Sequence, residues 1–187
     1  MFYNCEQFDF VSKLESNWQI IRDELTHLRE KDFIPWPERY LYGKGWNTFG
    51  LYAFGVKVGK NCTLCPETTK LVEQIPDLTS AGFSVLAPGT HIAPHTGYPD
   101  GLLRCHLGLV VPEDCALRVA DQTKTWTEGK CLVFDDTSEH EAWNRGATTR
   151  VVLLIDFKAP IGLLPVPEQS KQPGLPSIFG FLRQFKK

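Results

Sequence analysis

Residues 81–157 read AGFSVLAPGTHIAPHTGYPDGLLRCHLGLVVPEDCALRVADQTKTWTEGKCLVFDDTSEHEAWNRGATTRVVLLIDF, and their texture decides the fold. Short apolar or alternating runs occupy 81–87, 104–111, 115–120, 130–135, 140–144 and 149–157. Turn-prone residues cut them apart at Pro88-Gly89, Thr96-Gly97, Pro99-Asp100-Gly101, Pro112-Glu113-Asp114, Glu128-Gly129 and Asn144-Arg145-Gly146. Strands this short and this regularly spaced predict an antiparallel sandwich or barrel.

Upstream the period changes. Phe10, Leu14, Trp18, Ile21, Leu25 and Leu28 fall at steps of three and four, which predicts one amphipathic helix from Phe10 to Glu30 with Asp9 as its N-cap. Residues 31–48 mix Pro, Gly and aromatics and read as an irregular segment; Gly50–Val58 reads as a strand. Pro66 opens a short helical stretch, PETTKLVEQI, that Pro76 closes. Helices before strands make the chain α+β and mainly β, with a double-stranded β-helix (jelly-roll) core and an N-terminal helix packed outside. The reading is one domain over 1–187, its core about 50–157. Residues 158–187 are a Pro-rich extension whose last residues, SIFGFLRQFKK, suit a short amphipathic helix.

The length of 187 residues allows a self-sufficient core, and 20 basic against 22 acidic residues leave a net charge of −2. That balance speaks against a nucleic-acid partner. No stretch of 18 apolar residues exists, so no integral membrane segment is expected. The N-terminus has no basic-then-apolar export signal, and the six cysteines are scattered, so reduced thiols in the cytoplasm are expected. Cys62-x-x-Cys65 lacks a second pair at zinc-site spacing, which leaves a zinc or redox role open beside a structural one.

Five histidines occur, at 27, 91, 95, 106 and 140. His27 lies on the predicted helix and reads as a surface residue. His95 and His140 each fall in a loop beside a strand, where a small barrel gathers its ligands. Two imidazoles suit a non-haem iron, but the carboxylate often found two residues after the first is replaced by Gly97. From spacing alone, two distant histidines in a β domain are more often structural than metal-binding. Arg150 begins the apolar run RVVLLIDF. A buried guanidinium there needs either a salt bridge or a bidentate carboxylate ligand.

The words SVLAPGTHIAPHTG, LRCHLGLVVPE, TWTEGKCLVFDDTSEHEAWN and RVVLLIDF stand in this order between Ser84 and Phe157. They resemble the aspartyl/asparaginyl β-hydroxylase family, and NCTLCPETTKLVEQIP extends the likeness upstream. The resemblance implies a jelly roll that uses Fe(II), O2 and 2-oxoglutarate, with iron held by two histidines and no carboxylate. It implies His95 and His140 as metal ligands and Arg150 as the anchor of the far carboxylate of 2-oxoglutarate, assisted by Ser84. Arg104 and His106 match a strand pointing into the site, with an implied role toward a carboxylate of co-substrate or substrate. Asp136 is expected to hold a water where the missing carboxylate would sit. Trp126 and Trp143 are candidates to line the pocket, or simply core. The substrate class the resemblance allows is an Asp or Asn residue of a peptide, an amino acid or a lipid acyl chain. Gly82 and Leu102 stand where the family's protein-modifying member has basic residues, which weakens the peptide option. A metal-binding cupin-like protein without turnover and an iron halogenase are the alternatives.

Overall fold

The computed structural model describes residues 1–97, 101–160 and 162–163. In chain order the strands are β1 (Phe2–Tyr3), β2 (Ile34–Pro35), β3 (Trp46–Ala53), β4 (Val56–Lys57), β5 (Leu78–Leu86) and β6 (Thr90–His95). They continue as β7 (Leu102–Val110), β8 (Cys115–Val119), β9 (Gln122–Thr125), β10 (Cys131–Asp135), β11 (His140–Asn144) and β12 (Arg150–Lys158). The helices are α1 (Asp9–Ser16), α2 (Trp18–Thr26), α3 (Gly59–Leu64) and α4 (Pro66–Val72).

The strands form two antiparallel sheets. The larger runs β1-β10-β7-β12-β5-β3-β2, with β4 on β3, and the smaller runs β6-β11-β8-β9. From β5 onward the chain passes between the sheets so that β5, β7, β10 and β12 lie in one, and β6, β8, β9 and β11 in the other. That is the expected jelly roll.

Period-two alternation sorts the larger sheet into two working faces. On β7, Leu103, Cys105, Leu107 and Leu109 join Phe10, Leu14 and Ile21 of the helices in the outer core. The residues between them, Arg104 and His106, therefore point toward the smaller sheet. On β12, Val151, Leu153, Ile155 and Phe157 face the helices, while Val152 and Leu154 belong to the inter-sheet core. Arg150 and Asp156 share that second face. Both faces are covered, which is why RVVLLIDF reads as an unbroken apolar run.

The N-terminal helix is two helices. Asn17 (φ −115, ψ 14) separates α1 from α2, and its Nδ2 donates to the Lys13 carbonyl at 2.8 Å. A side chain competing for a carbonyl interrupts the ladder while the apolar stripe continues through it. The second helix ends at Thr26, short of Glu30, and Phe8 rather than Asp9 occupies the N-cap position. The segment 31–48 contains β2, a 3-10 turn at Arg39–Leu41 and the start of β3. The single strand expected over 50–58 is a hairpin of β3 and β4, turned by Phe54 (φ 50) and Gly55 (φ 78). The expected C-terminal helix lies outside the described residues.

Candidate active site

His95 ends β6 and His140 begins β11, and the two are direct cross-strand partners. Their ring centroids are 4.2 Å apart. His95 Nδ1 lies 2.8 Å from the Ala93 carbonyl and His140 Nδ1 lies 2.9 Å from the Ser138 carbonyl. A carbonyl only accepts, so each Nδ1 carries the hydrogen and each Nε2 presents a bare lone pair. His140 Nε2 is buried without a hydrogen-bond partner. Burial, then the neighbouring His95 and Arg104, hold the His140 imidazole neutral, with its pKa pushed down to about 3. Two adjacent imidazoles, each fixed through Nδ1 by a backbone carbonyl, are a ligand set for a transition metal.

Gly97 follows two residues after His95, and the space its side chain would fill is taken. A Cβ there would lie 1.8 Å from Asp136 Oδ2. The carboxylate that position 97 lacks therefore arrives from Asp136. Asp136 Oδ1 stands 3.5 Å from His140 Nε2 and 2.8 Å from Arg104 Nη1. The Gly97 amide donates to the Asp136 carbonyl at 2.7 Å and fixes the two segments together. Among the described residues no set of three His, Cys, Asp or Glu side chains is gathered for a metal. The pocket offers two imidazoles with a carboxylate standing off, which fits a two-histidine site.

Arg104 is held between two carboxylates, which take three of its five N–H donors. Its Nε and Nη2 donate to Asp156 Oδ1 and Oδ2 at 2.6 and 3.0 Å, and Nη1 meets Asp136. Arg104 thus holds Asp136, and its two remaining N–H groups are compatible with the carboxylate-binding role the resemblance implies. Burial pushes both carboxyls above their usual range and Arg104 pulls them back; the two carboxylates raise Arg104 in turn. The sequence reading missed Asp156. Its only signal is a charge inside the run LLIDF.

A second group of side chains presents donors. Arg150 is 1% exposed, its Nε has no partner and its Nη1 donates to the Ser84 carbonyl at 3.3 Å. Burial pushes its pKa down to about 10, so the guanidinium remains charged at neutral pH. Trp126 covers it, with the guanidinium carbon 4.8 Å from the ring centroid. Trp126 Nε1 also donates to His106 Nδ1 at 3.3 Å. Burial, then Arg150, keeps His106 neutral and well below its ordinary pKa. Its hydrogen therefore sits on Nε2, a buried donor with no protein partner. Ser84 Oγ accepts from Trp46 Nε1 at 2.9 Å, which leaves its own hydrogen free to donate. Three unspent donors, one of them cationic, form a carboxylate receptor.

The remaining candidates lie elsewhere. Trp143 packs outside, 6.5 Å from the His91 ring, and His91 pairs with Glu141 at 2.6 Å on the exposed side of β6. His27 is exposed at the end of α2, as expected. Cys62 and Cys65 are buried free thiols, and burial pushes Cys65 up to about 12, so neither is a ready thiolate. At position 82 a Cβ would lie 2.5 Å from the Phe49 carbonyl, so no basic side chain fits there.

The neutral histidines carry a pH consequence. His140 and His106 have folded pKa values below the unfolded value of about 6.5, so each takes up a proton on unfolding in acid. Metal-free protein is expected to hold full stability above about pH 6.5. It loses up to about 1.4 kcal/mol per pH unit for each imidazole as the pH falls toward 3. Thermal melts of metal-free protein at pH 7, 5.5 and 4.5 measure this; a flat profile contradicts the assignment of both rings as neutral.

Among the described residues no helix is long and apolar enough to cross a membrane. A solved structure described as an oxidoreductase of the 2OG-Fe(II) oxygenase family, from Burkholderia pseudomallei, shares the fold with a TM-score of 0.55. It covers 80% of this chain and 88% of its own at 11% identity. An ornithine lipid ester-linked acyl 2-hydroxylase of Rhizobium tropici is 42% identical over 85% of this chain and 60% of its own length. The human aspartyl/asparaginyl beta-hydroxylase is 39% identical over 81% of this chain and 21% of its own. The chain thus spans less than two thirds of these curated relatives. The profile of aspartyl/asparaginyl beta-hydroxylases matches residues 15–160, which take in every strand but β1 and the helices α2, α3 and α4. On that match, together with the two relatives, this chain belongs to the aspartyl/asparaginyl beta-hydroxylase family.

Proposed function

We propose that the chain is an Fe(II)- and 2-oxoglutarate-dependent dioxygenase that hydroxylates an unactivated C–H bond. The observation that carries this is the division of the pocket. The two imidazoles stand on β6 and β11 of the smaller sheet, and the three donors of Ser84, His106 and Arg150 stand on β5, β7 and β12 of the larger one. One ligand set suits a ferrous ion and the other suits the far carboxylate of a small diacid. With both bound, iron and 2-oxoglutarate use O2 to insert one oxygen into the substrate C–H and one into the co-substrate, which leaves as succinate and CO2.

This chain's residues bind, orient and exclude water. His95 and His140 hold the metal through Nε2. Arg150, His106 and Ser84 seat the diacid. Arg104, clamped by Asp156, aims Asp136, whose Oδ1 is placed to accept a hydrogen bond from a water beside His140 Nε2. A carboxylate in that place also opposes a chloride there, which disfavours the halogenase alternative. Trp126, Phe134 and Leu154 belong to the buried apolar cluster between the sheets and would keep bulk water from the site. The substrate classes are those the relatives' names give, a lipid acyl chain or a peptide side chain, and the enzyme is proposed to work in the cytoplasm.

Asp136→Ala is expected to weaken Co(II) affinity by about 10- to 100-fold, as loss of an outer carboxylate does. Gly97→Ala is expected to do the same by pushing Asp136 away. Titration of the metal-free variants reads both, and wild-type affinity in either removes Asp136 from the account. The functional test is succinate release across acyl lipids, peptides and amino acids, with mass spectrometry of the products. A gain of one oxygen coupled to succinate supports the proposal. Failure to bind Mn(II) with N-oxalylglycine in a thermal-shift assay overturns it.

A further inference from the structure

The segment leading into β3 builds one wall beside the pocket. Its 3-10 turn, Arg39–Leu41, packs against β6, the strand that carries His95. Trp36 stacks on Trp46 with centroids 4.5 Å apart and planes 7° off parallel. Trp46 in turn donates to Ser84 inside the pocket at 2.9 Å. An aromatic pair thus runs from the co-substrate receptor outward to Trp36. At its outer end stands Glu38.

The Glu38 carboxylate is shaped by neutral donors. Trp36 Nε1 donates to Oε2 at 3.2 Å and Tyr40 Oη donates to Oε1 at 3.1 Å. The side chain is partly buried, and among the described residues no Lys, Arg or His lies within ion-pair distance of it. Its charge nevertheless reaches the pocket, acting on both Arg104 and Asp136. Tyr40 is 80% exposed, so its ring is open to a ligand. Each carboxylate oxygen accepts one bond and keeps a further lone pair.

Charge balance points the same way. Arg104 and Arg150 supply two positive charges; Asp136, Asp156 and Glu38 supply three negative ones. A ferrous ion and a dianionic co-substrate cancel each other, so these five groups leave the loaded site with one excess negative charge. Position 82 has no room for a cation, and position 102 is Leu. A negative carboxylate framed by two aromatic rings is the chemistry that recognises an ammonium group.

We propose that Glu38, framed by Trp36 and Tyr40, is the subsite for a primary ammonium group of the substrate, carried by an acylated headgroup or by a free amino acid. This rests on the hydroxylase reading above and names its substrate class.

The test uses protein loaded with Mn(II) and N-oxalylglycine and three acyl probes: Nα-lauroylornithine, its δ-N-acetylated form and lauroylaspartate. Free ornithine is the fourth arm. Wild type is expected to bind the free amine at least about tenfold more tightly than the acetylated form, and lauroylaspartate more weakly still. Glu38→Gln keeps the shape and can still accept from Trp36 or Tyr40; it is expected to erase that preference while the protein still shows a Mn(II) and N-oxalylglycine thermal shift. Glu38→Lys is expected to invert the preference toward lauroylaspartate. Preference for lauroylornithine over free ornithine assigns the group to a lipid headgroup, and equal binding assigns it to an amino acid. Normal N-oxalylglycine binding with no preference for the amine, or a preference that survives Glu38→Gln, overturns this subsite alone. Absence of any N-oxalylglycine shift overturns it together with the hydroxylase reading.

Discussion

His140→Ala is expected to abolish metal binding and succinate formation while leaving the fold in place. The reasoning starts from ligand number. A site with two protein ligands loses half its donors when one imidazole goes, and a single imidazole does not hold a ferrous ion at micromolar metal. The loss expected in Co(II) or Fe(II) affinity is at least about 1000-fold, on the order of 4 kcal/mol. The metal-free protein has little reason to suffer. His140 Nε2 has no hydrogen-bond partner to lose, and its Nδ1–H bond goes to a carbonyl beside the strand end. The melting temperature without metal is therefore expected to stay within a few degrees of wild type, and the acid sensitivity belonging to that ring is expected to vanish. His95→Ala behaves alike toward metal. A His140→Ala protein that still binds Co(II) tightly places the metal elsewhere.

Arg150→Met separates binding from stability with opposite signs. Arg150 is fully buried, with an unpartnered Nε and a pKa pulled down to about 10, so without ligand the fold carries a cation that has no carboxylate partner among the described residues. Replacing a buried ion by an apolar side chain of similar length is commonly neutral or stabilising. Metal-free, ligand-free Arg150→Met is thus expected to melt at or above the wild-type temperature. With the diacid the sign reverses. Removing the cationic half of a buried charge pair costs about 2–5 kcal/mol, or roughly 30-fold to several thousand-fold in affinity. The KM for 2-oxoglutarate and the N-oxalylglycine thermal shift read this directly. Co(II) affinity is expected to be unchanged, since Arg150 faces the donor end of the pocket. A variant that melts lower and binds the diacid normally makes Arg150 a structural residue only.

The barrel is legible in the sequence because its strands alternate or run apolar. β7 and β12 announce themselves through buried residues on both faces. β9 does not, because Gln122–Thr125 is exposed at all four positions and sits at a sheet edge. β6 does not either, because Thr90–His95 mixes polar residues with Pro94 and only Thr90 and Ile92 are buried. The break at Asn17 hides behind a helical stripe that stays in phase across it. Among site residues, His95, His140 and Arg150 are visible as polar residues beside apolar runs. What sequence cannot display is pairing. Asp156 looks like a charge inside a strand until β12 is laid against β7, where it becomes the register partner of Arg104. Gly97 looks like a lost ligand until Asp136 is found filling its side-chain space. Glu38 sits in a segment with no period at all, and only the stack of Trp36 on Trp46 brings it to the pocket.

Two imidazoles and a buried guanidinium are proposed to divide the site between a ferrous ion and a diacid. A crystal structure grown anaerobically with Fe(II) and 2-oxoglutarate tests it most directly. The account predicts one iron within bonding distance of Nε2 of both His95 and His140, with the far carboxylate of the diacid on Arg150 and His106. Iron bound at any other side chains, or a diacid with its far carboxylate away from Arg150, would contradict it.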